Sequence, residues 1–150
     1  MPSNIDIRPI TSADEKAWRK LWAAYLKFYK SEVPEIVYQT TWSRLLSEGE
    51  YEPQGFLAFK DEHPIGLVHF FYHRTCWSVQ NNCYLQDLYV SPKARGTGAG
   101  RCLIESVYEA AKSQNAPSVY WMTEDHNETA RHLYDKIAGK TDFIKYQRKL

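Results

Sequence analysis

The sequence predicts a single domain of the α/β class, with helices packed on one mixed β-sheet. The first observation is size and composition, because 150 residues with 43% hydrophobic and 25% charged residues suit one average globular core. The second is the alternation of strand-like apolar runs with segments of helical period. The third is a glycine-rich turn at 96–100, which joins a strand to a helix. We therefore treat residues 1–150 as one domain.

The amino-terminal third predicts one strand and two helices. Residues 5–8 alternate in polarity and predict a first strand, which Pro9 ends. A helix over 14–30 follows, since its apolar residues recur three and four positions apart: Trp18, Leu21, Trp22, Tyr25, Leu26 and Tyr29. Pro34 interrupts this pattern, and a shorter helix is expected over 38–46.

The middle of the chain predicts an antiparallel meander of three strands. Apolar runs cover 55–60, 65–73 and 83–90, and turn residues separate them at 61–64 and at Asn81-Asn82. The second run is apolar at both parities, so we expect helices or loops to cover both faces of that strand.

The last part of the chain predicts a parallel crossover. A helix over 98–114, a short strand over 118–123 and a helix from Asn127 to Ile137 follow the meander. A final strand over 143–148 completes the order β-α-α-β-β-β-α-β-α-β. The strands before and after the first of these helices run parallel, which makes the sheet mixed.

Charge and composition exclude several classes of function. A net charge of +1 without any Lys/Arg run argues against a nucleic-acid partner. No apolar stretch is long enough to span a bilayer, and the first six residues lack the features of a signal peptide. Cys76, Cys83 and Cys102 have no metal-binding spacing. We therefore expect no metal, no membrane partner, reduced thiols and a cytoplasmic location.

The glycine-rich turn predicts a bound pyrophosphate. Gly96, Gly98 and Gly100 follow an apolar run and stand between Arg95 and Arg101. Residues without a Cβ let a phosphate approach the N–H groups at a helix N-terminus, and arginines add charge-assisted hydrogen bonds. No Gly-Lys-Ser/Thr follows, which excludes a Walker-type nucleotide site. The preceding antiparallel meander contradicts a dinucleotide-binding fold.

This order of elements and these residues resemble the GNAT superfamily of acetyl-CoA-dependent N-acetyltransferases over essentially the whole chain. The run Arg95-Gly96-Thr97-Gly98-Ala99-Gly100 matches the family's Arg/Gln-x-x-Gly-x-Gly/Ala loop, Leu-Tyr-Val-x-Pro precedes it at 88–92, and Asn127, Ala130, Leu133 and Tyr134 follow. The similarity is greatest to a subgroup that includes compact yeast histone and D-amino-acid N-acetyltransferases and short bacterial homologues.

The chain departs from the family pattern in two places. Ala-Gly-Lys stands at 138–140, where many members carry Gly-Phe. Gln86-Asp87 replaces the Glu-Asp pair of polyamine acetyltransferases, so the glutamate base of that position is absent.

The resemblance implies acetyl-CoA as the cofactor and assigns residues to it. The main chain of 95–100, together with Arg101, would hold the pyrophosphate. Main-chain N–H groups of Leu88, Tyr89 and Val90 would polarise the acetyl carbonyl and pair with the pantetheine arm. Asn127 would cap its helix and bond the cofactor, and Tyr134, two turns later, would protonate the leaving thiolate.

The residues leave the general base open. The ammonium of an amine substrate must lose a proton before attack, and Asp87, Glu124 or water alone could accept it. Glu32 and Glu35 are candidates for attracting a cationic substrate, with a solvated loop as the alternative.

We expect direct attack within a ternary complex, because Cys102 lies in the cofactor-binding helix and is poorly placed as a nucleophile. His69 and His73 have no partner that the sequence identifies. The resemblance implies acetylation of a primary amine on a small molecule: an amino acid, a lysine analogue or a polyamine. Acetylation of protein lysines, as in histone tails, and a non-catalytic acyl-CoA-binding module remain alternatives. A homodimer is expected.

Overall fold

A computed structural model describes residues 4–150, which form a five-stranded mixed sheet and four α-helices. The strands are β1 (Ile5–Pro9), β2 (Gln54–Lys60), β3 (His63–His73), β4 (Asn82–Val90) and β5 (Val119–Tyr120). The helices are α1 (Glu15–Phe28), α2 (Glu35–Leu45), α3 (Ala99–Ser113) and α4 (Glu128–Ile137), with single 3-10 turns at Ser12–Asp14 and Pro92–Ala94. The predicted mixed α/β class is confirmed.

The sheet follows chain order, β1-β2-β3-β4-β5. The first four strands pair antiparallel, so the predicted meander is confirmed and β1 extends it. β4 and β5 pair in parallel, with Cys83 opposite Val119 and Tyr84 opposite Tyr120. α3 connects these two strands, as the crossover prediction requires.

Helices cover both faces of the sheet, which is why β3 is apolar at both parities. On one face, Val68, Phe70 and Leu85 pack with Leu103 and other buried residues of α3. On the other face, α1 and α2 cover the sheet through a second cluster: Trp18, Leu21, Trp42, Leu45, Leu57, Leu67 and Tyr89. Burying a large apolar side chain of this kind contributes about 1.5–3 kcal/mol, so the two clusters fix α1 and α3 against β3 and β4.

Two predicted strands differ from the structure. The strand expected over 118–123 is reduced to Val119–Tyr120. The strand expected over 143–148 is wrong: in the described part of the chain, 138–150 forms no helix or strand, and Phe143 and Tyr146 are exposed. Its sequence has strand propensity, but propensity alone supplies no partner edge, and the segment pairs with no described strand. Among residues 4–150, no helix has the length and apolar character needed to cross a bilayer.

Candidate active site

The turn between β4 and α3 leaves the start of the helix open to an anion. Gly96 and Gly98 have φ angles of 81° and 88°, in the left-handed region where a residue with a Cβ is strained. Gly98 occupies the N-cap position, and no described side chain caps the helix there. The first N–H groups of α3 therefore remain available to a ligand.

Hydrogen bonds within the turn fix its shape. The backbone N–H of Ser91 donates to the carbonyl of Ile65 at 2.8 Å, which ties the turn to β3. The N–H and hydroxyl of Thr97 both donate to the carbonyl of Ala94. These hydrogen bonds hold the predicted loop in one conformation, and a preorganised loop lowers the entropic cost of binding a ligand.

The two arginines of the predicted loop lie apart. The guanidinium of Arg95 lies 5.5 Å from the ring centre of Phe28, at the end of α1. The Nε of Arg101 donates to Glu105 at 2.9 Å on the exposed face of α3. Arg95 thus lies between the turn and α1, whereas Arg101 is paired along its own helix.

β4 and β5 pair through only two residues of each strand. Their pairing ends at Tyr84 and Tyr120, yet β4 continues to Val90, and no other described strand pairs with that edge. The main chain of Leu88, Tyr89 and Val90 therefore has no strand partner on that edge among the described residues. Main-chain groups at such an unpaired edge can bond an extended ligand or a carbonyl oxygen.

α4 brings the predicted asparagine and tyrosine to the side of the sheet that α3 covers. The side chain of Asn127 accepts a hydrogen bond from the N–H of Ala130 at 3.4 Å, so the predicted cap is confirmed. Tyr134 packs edge-on against Trp121, with ring centres 5.3 Å apart. Burial, and secondarily the nearby Tyr29, raises the pKa of Tyr134 to about 12. The phenol therefore keeps its proton at neutral pH.

A β-bulge decides which way Asp87 faces. His69 lies opposite Asp87, but the next residue, Phe70, lies opposite Leu85, so Gln86 is an extra residue in β4. Leu85 packs into the α3 cluster, whereas Asp87 bonds residues of β3 and α1 on the opposite face. The bulge reverses the alternation of side chains and delivers this carboxylate to the α1 side.

Asp87 belongs to a buried hydrogen-bond network that the sequence did not reveal. Its Oδ1 accepts from the hydroxyl of Tyr25 at 2.8 Å, and its Oδ2 lies 3.0 Å from Nδ1 of His69. The Nε1–H of Trp18 donates to Nε2 of His69 at 2.9 Å. The sequence identified no partner for His69, and the structure gives it two. The sequence shows a hydroxyl at Tyr25 on the apolar face of α1, but it does not indicate which residue that hydroxyl bonds.

Tyrosines surround this carboxylate. The ring of Tyr25 in α1 lies 5.0 Å from that of Tyr29, which directly follows the helix, and the rings of Tyr84 and Tyr120 stack at 4.9 Å. Burial raises the pKa of Tyr29, and the negative charges of Glu124 and Asp87 raise it further. Burial raises the pKa of Tyr84, with a further contribution from Asp87. The charges of the two predicted base candidates, Asp87 and Glu124, therefore both raise the pKa of the same residue, Tyr29.

The other candidate residues of the sequence are engaged elsewhere. Glu35 binds Arg19 through both carboxylate oxygens, at 2.7 and 2.9 Å, so this charge is already paired. Glu124 is exposed and accepts from His126 at 3.0 Å. The sequence identified no partner for His73, and its Nε2 lies 2.7 Å from the hydroxyl of Tyr120.

The three cysteines form no disulfide with one another. Cys76 is exposed and Cys102 is half-buried within α3. Cys83 is buried, and burial raises the pKa of its thiol to about 12. The buried thiol is therefore neutral and unreactive.

These parts together define a class of protein. They are an uncapped helix start after β4, an unpaired edge of β4, a protonated half-buried tyrosine and a carboxylate that a bulge in β4 turns toward α1. Tyr29 interacts electrostatically with both the tyrosine and the carboxylate. This arrangement can hold an anionic donor and polarise a carbonyl, which are the requirements of acyl transfer.

Comparisons with known proteins agree with this class. The acetyltransferase (GNAT) family model matches residues 15–139. D-amino-acid N-acetyltransferase HPA3 of Saccharomyces cerevisiae is 42% identical over 146 residues, covering 96% of this chain and 90% of the relative. Thialysine N-epsilon-acetyltransferase of Caenorhabditis elegans is 34% identical over 83 residues, 55% of this chain and 51% of the relative. A structure of AAC(6')-Iy with a CoA bisubstrate analogue matches with a TM-score of 0.84 and 18% identity over 99% of both chains, which supports the fold.

The chain belongs to the acetyltransferase (GNAT) family and is an N-acetyltransferase. The family membership predicted from the glycine loop and the Asn127 to Tyr134 spacing is confirmed.

Proposed function

We propose that this enzyme transfers an acetyl group from acetyl-CoA to the primary amine of a small molecule, with amino acids as the leading class. The observation that carries this proposal is that Tyr29 interacts electrostatically with both Tyr134 and Asp87, so the proposed acid and the proposed base lie near the same tyrosine. The unpaired edge of β4 and the uncapped start of α3 complete the site. The names of two relatives support the acceptor class, since one acts on D-amino acids and the other on thialysine.

The residues around the turn fit the acetyl donor. Gly98 leaves the first N–H groups of α3 without a cap, and these would bind the pyrophosphate. The main chain of Leu88, Tyr89 and Val90 would pair with the pantetheine arm and donate to the acetyl oxygen. Arg95, Gly96, Thr97, Ala99, Gly100, Arg101 and Asn127 complete the proposed contacts with acetyl-CoA.

The proposed reaction is a direct transfer within a ternary complex. One proton of the substrate ammonium passes to Asp87, directly or through water, and then to solvent. The amine nitrogen then forms a C–N bond with the acetyl carbon of the thioester, the C–S bond breaks, and the nitrogen releases its second proton. Tyr134 protonates the departing sulfur and regains a proton from the medium. The products are an acetamide, a free thiol and one proton released to solvent.

The charges near β4 favour a cationic acceptor. The negative charges of Asp87 and Glu124 both raise the pKa of Tyr29. Tyrosine rings also surround Asp87, and Tyr25 donates a hydrogen bond to it. Carboxylates attract an ammonium group, and aromatic faces add cation–π attraction of about 0.5–1 kcal/mol at exposed positions. Glu124 is exposed and would guide the acceptor, whereas Asp87 is buried and would receive its proton.

We further propose a homodimer and a cytoplasmic location. The exposed apolar residues at 143–150 support an interface with a second copy, and the three free thiols support a reducing compartment.

The first experiment is an assay of thiol release from acetyl-CoA with a panel of amines: D- and L-amino acids, lysine analogues, polyamines and a histone-tail peptide. We expect turnover with a small amine and little with the peptide. Thermal melting with and without acetyl-CoA gives a second readout, and acetyl-CoA should raise the melting temperature. Turnover confined to the peptide would contradict the small-molecule assignment, and stabilisation without any turnover would support a binding module instead.

A further inference from the structure

A chain of buried hydrogen bonds links α1 to the carboxylate in β4. Trp18 lies in α1, His69 in β3 and Asp87 in β4, and their side chains are exposed by no more than 11%. The contacts are Trp18 Nε1 to His69 Nε2 at 2.9 Å and His69 Nδ1 to Asp87 Oδ2 at 3.0 Å. The network therefore joins three elements at the place where the bulge delivers Asp87.

The indole of Trp18 determines where the proton of His69 lies. An indole Nε1–H can only donate, so Nε2 of His69 must accept and carries no proton. The imidazole proton then lies on Nδ1 and donates to Asp87. A doubly protonated ring would set two N–H groups against each other, because Nε2 would also face the indole donor.

We propose that His69 is a positioning residue for Asp87, locked by Trp18 in the one neutral tautomer that donates to this carboxylate. This inference rests on the proposed function, in which Asp87 accepts a proton from the amine. His69 itself never carries that proton, since accepting it would break the bond with Trp18.

Two donors hold the carboxylate in one orientation. Tyr25 donates to Oδ1 from α1, and His69 donates to Oδ2 from β3. A carboxylate has about four lone-pair positions, so each oxygen retains one that can accept the substrate proton. A base held by two partners on different elements loses little freedom when a substrate binds, which is the basis of its efficiency.

The same contacts also stabilise the packing of α1. Trp18 is fully buried and lies 5.3 Å from the ring centre of Trp42, so a variant that simply loosens α1 would also lose activity. The test must therefore separate a donor to Asp87 from a contact with Trp18.

Two substitutions at His69 make this separation. In His69→Asn the amide nitrogen can occupy the place of Nδ1 and donate to Asp87, but the acceptor for Trp18 is lost. In His69→Gln the amide oxygen can replace Nε2 as the acceptor for Trp18, but the donor at the Nδ1 position is lost. We expect His69→Gln to lose about tenfold or more of kcat/KM and His69→Asn to stay within a few fold of the wild type.

The basicity of the acceptor amine supplies a readout that packing does not affect. The wild type is first assayed to find an amine that it acetylates; if no amine is turned over, the proposed function fails before this test begins. Two acceptors of the same shape are then compared, one with an ammonium pKa of about 10 and a fluorinated analogue of about 8. The loss of kcat/KM in His69→Gln should be smaller with the fluorinated analogue. A smaller fraction of this less basic amine is protonated, so less of the amine needs Asp87 to remove its proton.

Melting temperatures of both variants are measured beside the kinetics. The proposal is overturned if the two variants lose equal activity, if activity follows melting temperature rather than the retained donor, or if the deficit of His69→Gln is the same for both amines. Activity in His69→Gln equal to that of the wild type would also overturn it.

Discussion

At the scale of single residues, the most informative side chain is Tyr134. Its phenol is half-buried against Trp121, and its pKa lies at about 12 because of burial and the nearby Tyr29. A group with so high a pKa remains a proton donor across the neutral and mildly alkaline range. This suits an acid that must protonate a thiolate, since the thiolate forms only when the C–S bond breaks.

We predict that Tyr134→Phe lowers kcat by about 10- to 100-fold and leaves the affinity for acetyl-CoA nearly unchanged. Removing the hydroxyl removes the proton donor but keeps the ring that packs on Trp121. Steady-state kinetics and acetyl-CoA titration measure the two effects separately. Tyr108→Phe is the matched control, because its hydroxyl donates to the carbonyl of Ile137 and that variant should lose stability rather than turnover. Equal turnover in Tyr134→Phe and wild type would remove this role.

The same pKa predicts the alkaline side of the wild-type profile. Tyr134 should impose no loss of kcat between about pH 7 and pH 10, because its phenol titrates only near 12. An alkaline fall within that range that disappeared in Tyr134→Phe would show that the phenol ionises earlier than the structure implies.

At the scale of elements, the start of α1 depends on one buried carboxylate. Asp14 lies just before the helix, and its two oxygens accept from the guanidinium of Arg8, both at 3.0 Å, while the N–H of Thr11 donates to Oδ2 at 2.8 Å. Burial alone would raise the pKa of Asp14, but these hydrogen bonds and the charge of Arg8 lower it overall. The carboxylate therefore anchors α1 to β1.

We predict that Asp14→Asn lowers the free energy of unfolding at pH 7 by about 1–2 kcal/mol. The folded-state pKa is depressed, so the contribution is present above the unfolded value of about 4 and is lost as pH falls through the folded value. The difference between wild type and variant should therefore shrink in acid. Urea unfolding at several pH values measures it, with the exposed Asp142→Asn as a control. A difference that stays constant with pH would show that the charge of Asp14 contributes nothing.

Most elements were predictable from the sequence because their determinants are local. The helical period of α1, the glycines before α3 and the cap at Asn127 each act within a few residues. The orientation of Asp87 was not predictable in this way, because the bulge at Gln86 is defined only by the register with His69 and Phe70. The prediction of a final strand was wrong for a related reason, since the strand propensity of 143–148 does not determine which strand edge it would pair with.

The residues of the site likewise divide into those that local motifs predict and those that only tertiary packing brings together. Tyr134 and the glycine loop followed from short motifs with fixed spacing. The bonds of His69 to Trp18 and Asp87 span 51 and 18 residues, so only the packed fold brings them together. Non-local networks of this kind leave no pattern in a single sequence.

At the scale of the whole molecule, the last thirteen residues are the part of the chain whose apolar side chains are most exposed. After α4 ends at Ile137, the segment 138–150 is exposed throughout, including Phe143 at 92% and Tyr146 at 89%. β5 is an edge strand of the sheet, and α4 contains no buried residue. Exposed apolar side chains and an open sheet edge are both unfavourable in water, and a second copy of the chain would cover both.

We therefore predict that the protein is a dimer and that the segment 138–150 holds it together. Light scattering after size-exclusion chromatography should give twice the chain mass of 17.6 kDa. Phe143→Glu combined with Ile144→Glu should shift the mass to that of one chain. Both side chains are exposed in the single chain, and a dimer interface would have to bury two carboxylates in their place, which costs free energy. Lys140→Glu, in the same exposed segment, is the control and should remain dimeric. A wild type with the mass of one chain at every concentration would contradict the prediction, whereas dissociation caused equally by Lys140→Glu would mean that net charge, not the apolar residues, governs association.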